Sequence, residues 1–199
     1  MTPFNIILFD DFETLDAFGP AEIIGRLADT YELDYFSSNG GMVTSRQRVQ
    51  VHTRPLEEMA SGGVLLIPGG LGTRTLVNDE RFIRELTHAA NSADYVLTVC
   101  TGSALLAKTG LLDKRQATSN KRAFDWVTSV NDAVTWVPHA RWVVDGPFYT
   151  SSGVSAGMDM TLGFIADVFD RSTAENVADS IEYIWNSDND FDPFSVENG

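Results

Sequence analysis

Tyr95-Val96-Leu97-Thr98-Val99-Cys100-Thr101-Gly102-Ser103-Ala104-Leu105-Leu106-Ala107 joins a short apolar, β-branched run to a stretch of helix formers, with a cysteine at the junction. The pattern reads as strand, tight turn, helix, so the sulfur falls at the carboxyl end of a strand and the start of a helix. Cys100 is the only cysteine of the chain. Unpaired amides and the positive end of a helix dipole favour a thiolate, which predicts a thiol pKa below its ordinary value of about 8.5. A lone cysteine in another context reads as a small buried apolar residue; at this junction it reads as a nucleophile.

The alternation continues on both sides. Asn5–Phe9 reads as a first strand and Ala17–Leu27 as a first helix, with Ile23, Ile24 and Leu27 on one face. Glu32–Phe36 is a second strand, and Val43–Val51, which carries Arg46 and Arg48, an exposed ribbon. Val64–Ile67 is apolar enough to be buried on both faces and stops at Pro68-Gly69-Gly70. Helices are predicted over Asp79–Ala90, Lys121–Val130, Ala156–Phe169 and Thr173–Trp185. Short strands are predicted over Val134–Val137, Arg141–Val144 and Phe148–Thr150, the last two joined by the turn Asp145-Gly146-Pro147. Such alternation predicts an α/β fold, a single-domain flavodoxin-like sandwich whose mostly parallel sheet carries helices on both faces. One domain spans residues 1–199, and 186–199 forms a C-terminal arm that Phe191, Pro193 and Phe194 should pack down.

A chain of 199 residues buries roughly 70% of the surface its unfolded form exposes, so its core needs no staple. One cysteine cannot form an internal disulfide, and Met1-Thr2-Pro3-Phe4-Asn5 has neither the basic nor the long apolar region of a secretory signal. A reducing, cytoplasmic setting is the expectation. No apolar run approaches the roughly 20 residues that span a bilayer. A net charge of −14, from 28 acidic and 14 basic residues, argues against nucleic acid or an anionic membrane as partner.

Ligands in such folds bind beyond the carboxyl ends of the strands, where Cys100 and Gly69-Gly70 both fall. Attack on a polarised carbon needs donors for the charge that develops, and backbone amides at Gly70 and Thr101 are the candidates. A proton carrier is needed as well. His52 lies in a ribbon, His88 on the polar side of a helix and His139 before a strand, none of them well placed. A carboxylate buried beside the thiol can hold a proton instead. Asp16 is the choice, since it follows the first strand at the same sheet edge; the competing reading makes it a helix N-cap. Asp10, Asp11 and Glu13 read as solvated loop charges.

These pieces resemble the ThiJ/PfpI superfamily, of class I glutamine amidotransferase-like fold, and within it the isonitrile hydratase (isocyanide hydratase) branch. The resemblance rests on Leu15-Asp16-Ala17-Phe18-Gly19-Pro20, Ile67-Pro68-Gly69-Gly70, Val99-Cys100-Thr101-Gly102-Ser103, Gly110-Leu111-Leu112, Ala117-Thr118-Ser119, Val144-Asp145-Gly146 and Thr150-Ser151-Ser152-Gly153-Val154-Ser155-Ala156-Gly157-Met158-Asp159, in family order. It implies that Cys100 is the nucleophile on its elbow, Asp16 its hydrogen-bonded acid, and Gly70 and Thr101 neighbours of the reacting carbon. It also implies a homodimer, a small-molecule substrate and no cofactor. The pattern is broken at two places: Thr101 stands where many relatives have histidine, and Asn120-Lys121 where many have histidine and tryptophan. Relatives that regulate transcription append a helix-turn-helix domain, for which the chain leaves no room.

The expected activity is addition of water to an isocyanide to give an N-substituted formamide. A glyoxalase or deglycase acting on reactive carbonyls, and a non-catalytic cysteine redox sensor, are the alternatives. Gly153-Val154-Ser155-Ala156-Gly157 matches the G-x-S-x-G elbow, but that fold places its histidine after the serine and the last histidine is His139. The Gly/Ser turn, Ser155 included, is therefore read as capping the helix from Ala156 and lining the pocket through its backbone. Gly69-Gly70-Leu71-Gly72 lacks the spacing of a dinucleotide loop, and no ligand cluster suggests a metal.

Overall fold

In the computed structural model, which describes residues 1–195, the strands are β1 (Thr2–Ile7), β2 (Tyr31–Ser37), β3 (Gly41–Thr44), β4 (Gln50–Pro55), β5 (Val64–Ile67), β6 (Tyr95–Thr98), β7 (Gln116–Ala117), β8 (Thr135–Trp136), β9 (Trp142–Asp145) and β10 (Phe148–Ser151). The helices are α1 (Thr14–Gly25), α2 (Thr73–Leu76), α3 (Glu80–Ser92), α4 (Gly102–Lys108), α5 (Phe124–Val130), α6 (Ala156–Val168) and α7 (Arg171–Ser180). The main sheet has the order β3-β4-β2-β1-β5-β6-β10-β9. Its six inner strands run parallel, and only the edge pairs β3/β4 and β9/β10 are antiparallel. The predicted mostly parallel α/β sandwich is the fold observed.

The inner strands are apolar because both of their faces are covered. All four residues of β5 are buried, and β1 buries Phe4, Ile6 and Ile7 completely. Helix α6 packs on both α1 and α7, whereas α2, α3 and α5 gather around α4 in a second group. Helix α3 shows the expected amphipathic spacing, with Phe82, Leu86, Ala89 and Ala90 buried and Asp79 capping its start through bonds from the Arg81 and Phe82 amides.

Several boundaries differ from expectation. The ribbon assigned to Val43–Val51 is the end of the β3/β4 hairpin, its turn including Arg48 at φ 70°. The hairpin braces the loop after β1: Thr44 O accepts from Asp11 N at 2.9 Å, and Arg46 N donates to Phe12 O at 2.8 Å. The helix expected over 121–130 opens as a single 3-10 turn, Lys121–Ala123, before α5. The arm is ordered from 186 to 195, but not by its phenylalanines. Phe191 and Phe194 are exposed, whereas Asp192 is fully buried, its amide bonded to His139 O at 2.7 Å. Residues 196–199 of the assigned arm lie outside the described residues.

Candidate active site

Strands β1, β5, β6 and β10 are neighbours and run parallel, so the segments leaving their carboxyl ends meet on one edge. They deliver Asp16, Gly69-Gly70, Cys100 and Ser152-Gly153 respectively. Cys100 sits between β6 and α4 with φ 57°, a left-handed backbone that a residue with a side chain rarely adopts. The surroundings hold it there. Its N–H donates to Ser152 O at 3.3 Å, and its carbonyl accepts from Ser103 Oγ at 3.1 Å and Ser119 Oγ at 2.8 Å. Strain fixed by that many partners marks an elbow that presents its side chain. Ser155 has ordinary helical angles, φ −70° and ψ −22°, and its side chain caps nothing. The Gly/Ser turn thus leads into α6 with Ser155 at the N-cap position, though without a side-chain cap bond, and the strained elbow is at Cys100.

Asp16 lies inside the first turn of α1, which begins three residues earlier than expected, so Glu13 holds the N-cap position. Asp16 is fully buried, and its Oδ2 accepts the Gly69 N–H at 2.9 Å. Oδ1 has no hydrogen-bond partner among the described residues, and the carboxyl interacts with the Cys100 thiol. Asp10 and Asp11 are exposed, as expected of loop charges, and so are all three histidines.

Burial raises the Asp16 carboxyl well above the carboxylate range; the Gly69 N–H opposes it, and the nearby Glu13 charge adds to it. Burial, then the negative charge of Asp16, also lifts the Cys100 thiol well above its ordinary value, against the pull of the Thr101 amide and hydroxyl. The expected acidic thiol is thus corrected: at this depth desolvation and a neighbouring carboxylate outweigh the helix terminus. Each group is thus shifted toward its protonated form, and their proximity links the two titrations. Alkylation of Cys100 by iodoacetamide should accordingly show its inflection above about 8.5, and an inflection on the acid side would contradict this electrostatic picture.

Gly70 has φ 126°, and a Cβ there would meet Asp11 O at 2.4 Å and Glu13 N at 2.5 Å, so only glycine fits. Its N–H donates to Thr101 Oγ1 at 3.0 Å, and Thr73 Oγ1 reaches the same oxygen at 3.1 Å. Gly70 thereby fixes the Thr101 hydroxyl, which contacts the sulfur together with the Thr101 amide.

Sequence reasoning left Ser119, Ser152 and Asn120 without a role. The first two clamp the elbow. Asn120 borders the thiol across Gly153, where a Cβ would lie 2.1 Å from Asn120 Nδ2 and 3.0 Å from Cys100 Sγ. Lys121 turns away, its Nζ bonded to Thr118 Oγ1 at 2.8 Å and Ala140 O at 2.6 Å, and burial lowers its pKa to about 8. Among the described residues no group of three or more His, Cys, Asp or Glu side chains could hold a metal ion, and no helix is long and apolar enough to cross a membrane.

Comparison with known proteins finds the same arrangement of chain. Isonitrile hydratase of Pseudomonas putida is 30% identical over 180 residues, 90% of this chain and 77% of that one. The HTH-type transcriptional regulator CdhR of Pseudomonas aeruginosa is 28% identical over 83% of this chain, which spans only 49% of the regulator. The crystal structure of a ThiJ/PfpI family protein from Pseudomonas syringae superposes with a TM-score of 0.83 at 26% identity, covering 100% of this chain and 79% of that one. Drosophila melanogaster DJ-1beta shares the fold at a TM-score of 0.78 and 19% identity, covering 92% of this chain and 99% of that one. With the DJ-1/PfpI family pattern matched over residues 4–167, across every strand that supplies the site, the chain belongs to the DJ-1/PfpI family.

Proposed function

We propose that the protein is a cysteine-dependent hydratase that converts an isocyanide and water into an N-substituted formamide. The observation that carries this reading is the buried Cys100 thiol set against the buried Asp16 carboxyl at the carboxyl ends of the parallel strands. The similarity to isonitrile hydratase over 90% of the chain supports it. The sulfur bonds to the terminal isocyanide carbon as its proton passes to Asp16, and the carbon then takes that proton to give a thioimidate. Water adds its oxygen to this carbon and a hydrogen to the nitrogen. Collapse of the adduct breaks the carbon–sulfur bond, releases the formamide and returns the hydroxyl proton to the pair.

A resting thiol that is neutral suits this chemistry, because the proton removed from sulfur is the one that carbon needs. The test is turnover of an aryl or alkyl isocyanide by the purified protein, with methylglyoxal as the competing substrate and Cys100→Ala as the blank. Formamide release that vanishes in Cys100→Ala supports the hydratase. Lactate from methylglyoxal without any formamide would move the assignment to reactive carbonyls. No turnover of either, together with a Tm that changes once Cys100 is oxidised, would leave the redox sensor.

The working form we propose is a homodimer in a reducing compartment. Leu15, next to Asp16, and Leu71, next to Gly70, are apolar yet 42% and 53% exposed, so a partner covering them would also close the site to water.

A further inference from the structure

Asn120 has an amide whose two ends are in different hands. Its Oδ1 accepts the Ala123 N–H at 3.1 Å and so caps the 3-10 turn that follows. That bond fixes which end of the amide is oxygen, leaving Nδ2 with two hydrogens to donate. Nδ2 fills the notch left by the missing side chain of Gly153, and the same notch touches Cys100 Sγ. Neither hydrogen has an acceptor among the described residues, and Asn120 is half-buried. The other donors around the sulfur belong to Thr101.

We infer that Asn120 is a substrate-binding donor: its Nδ2 hydrogen-bonds the heteroatom attached to the carbon that Cys100 attacks. In the proposed hydratase this atom is the isocyanide nitrogen, so the inference rests on that reading for its substrate though not for its geometry. As the thioimidate forms, its nitrogen lone pair gains an oriented partner, and the bond polarises the carbon–nitrogen double bond for attack by water. A cap that pins the amide in advance leaves little to reorganise when charge develops. The substrate class is then defined: a small electrophile whose reacting carbon bears nitrogen or oxygen directly, not a simple alkylating agent.

The experiment uses Asn120→Ser, since serine still caps but is too short to reach the Gly153 notch. Two reagents are timed on Cys100 by intact mass. With 2-cyanopyrimidine the sulfur bonds to the nitrile carbon, one carbon–nitrogen π bond opens, and the nitrogen receives the electron pair and the proton of the Cys100–Asp16 pair. Iodoacetamide instead expels iodide and places no charge on such a nitrogen. The nitrile reaction should slow by roughly a hundredfold in Asn120→Ser, while iodoacetamide labelling and Tm stay as in the unaltered protein. Isocyanide turnover should fall by a similar factor. Equal nitrile rates in the two proteins would overturn the inference, as would a parent protein whose Cys100 ignores the nitrile or both reagents. If the unaltered protein turns over no isocyanide yet its nitrile reaction depends on Asn120, the hydratase reading fails and the donor role stands.

Discussion

Asp16→Asn is expected to lower turnover by about two to four orders of magnitude with no loss of melting temperature. Asparagine keeps an acceptor for the Gly69 N–H, bonded now at 2.9 Å, and removes a charge whose burial is unfavourable, so the fold has nothing to lose. What disappears is the group that takes the proton from sulfur and hands it on. Alkylation should move the other way. The Asp16 charge is one of the causes that raise the Cys100 thiol, so its removal should shift the iodoacetamide inflection toward acid and speed labelling near neutrality. Slower turnover by a more reactive thiol is a combination that a merely structural aspartate cannot produce. Turnover within a fewfold of the unaltered enzyme would sink Asp16 as proton carrier, and a parallel fall in Tm, labelling and turnover would mark it as a packing residue.

The strand–cysteine–helix elbow was readable because its signal is local: five residues of strand pattern, then seven of helix. The sheet was readable from strands as apolar as Val64–Ile67, which only a doubly covered position explains. Other features depend on distance in space. The Ser119 hydroxyl that holds the Cys100 carbonyl comes from 19 residues away, and the Cys100 amide is taken by Ser152 on the loop after a neighbouring strand. The direction of the thiol shift needs the depth of burial, which a helix-terminus argument does not contain. The apolar spacing of Ile23, Ile24 and Leu27 predicts a helix from Ala17, whereas α1 begins at Thr14 with Glu13 at the N-cap position, so Asp16 stands inside its first turn. The arm shows a further inversion. Its aromatic residues suggested apolar packing, yet charge and backbone bonds fix it.

Replacing Arg141 with leucine should cost about 3–5 kcal/mol of folding stability, the effect of removing one side of a buried ion pair. Arg141 is 5% exposed, its Nε donates to Asp159 Oδ2 at 2.7 Å, and its guanidinium approaches Asp192 Oδ1 at 3.8 Å. Both carboxyls are fully buried, so the variant leaves two of them without their cation. Burial already holds Asp159 above the ordinary carboxyl range, opposed by Arg141 first and by Tyr183 OH and the Asn186 amide after it. A group with a raised folded pKa destabilises the protein as pH climbs through that value, and loss of the guanidinium raises it further. The stability deficit in urea should therefore be largest at neutral pH and shrink in acid. A deficit below about 1 kcal/mol, or one that ignores pH, would show the pair to be dispensable. Adding Asp159→Asn should restore part of the loss, since the two changes share a partner. The effect reaches the site as well. Ser152 N donates to Arg141 O at 2.8 Å and Cys100 N to Ser152 O at 3.3 Å, while Arg141 N donates to Asn189 O on the arm at 2.8 Å. Arm, arginine and elbow form one run of backbone bonds, so loosening the buried pair should blur the strained Cys100 backbone and lower turnover even where the variant stays folded.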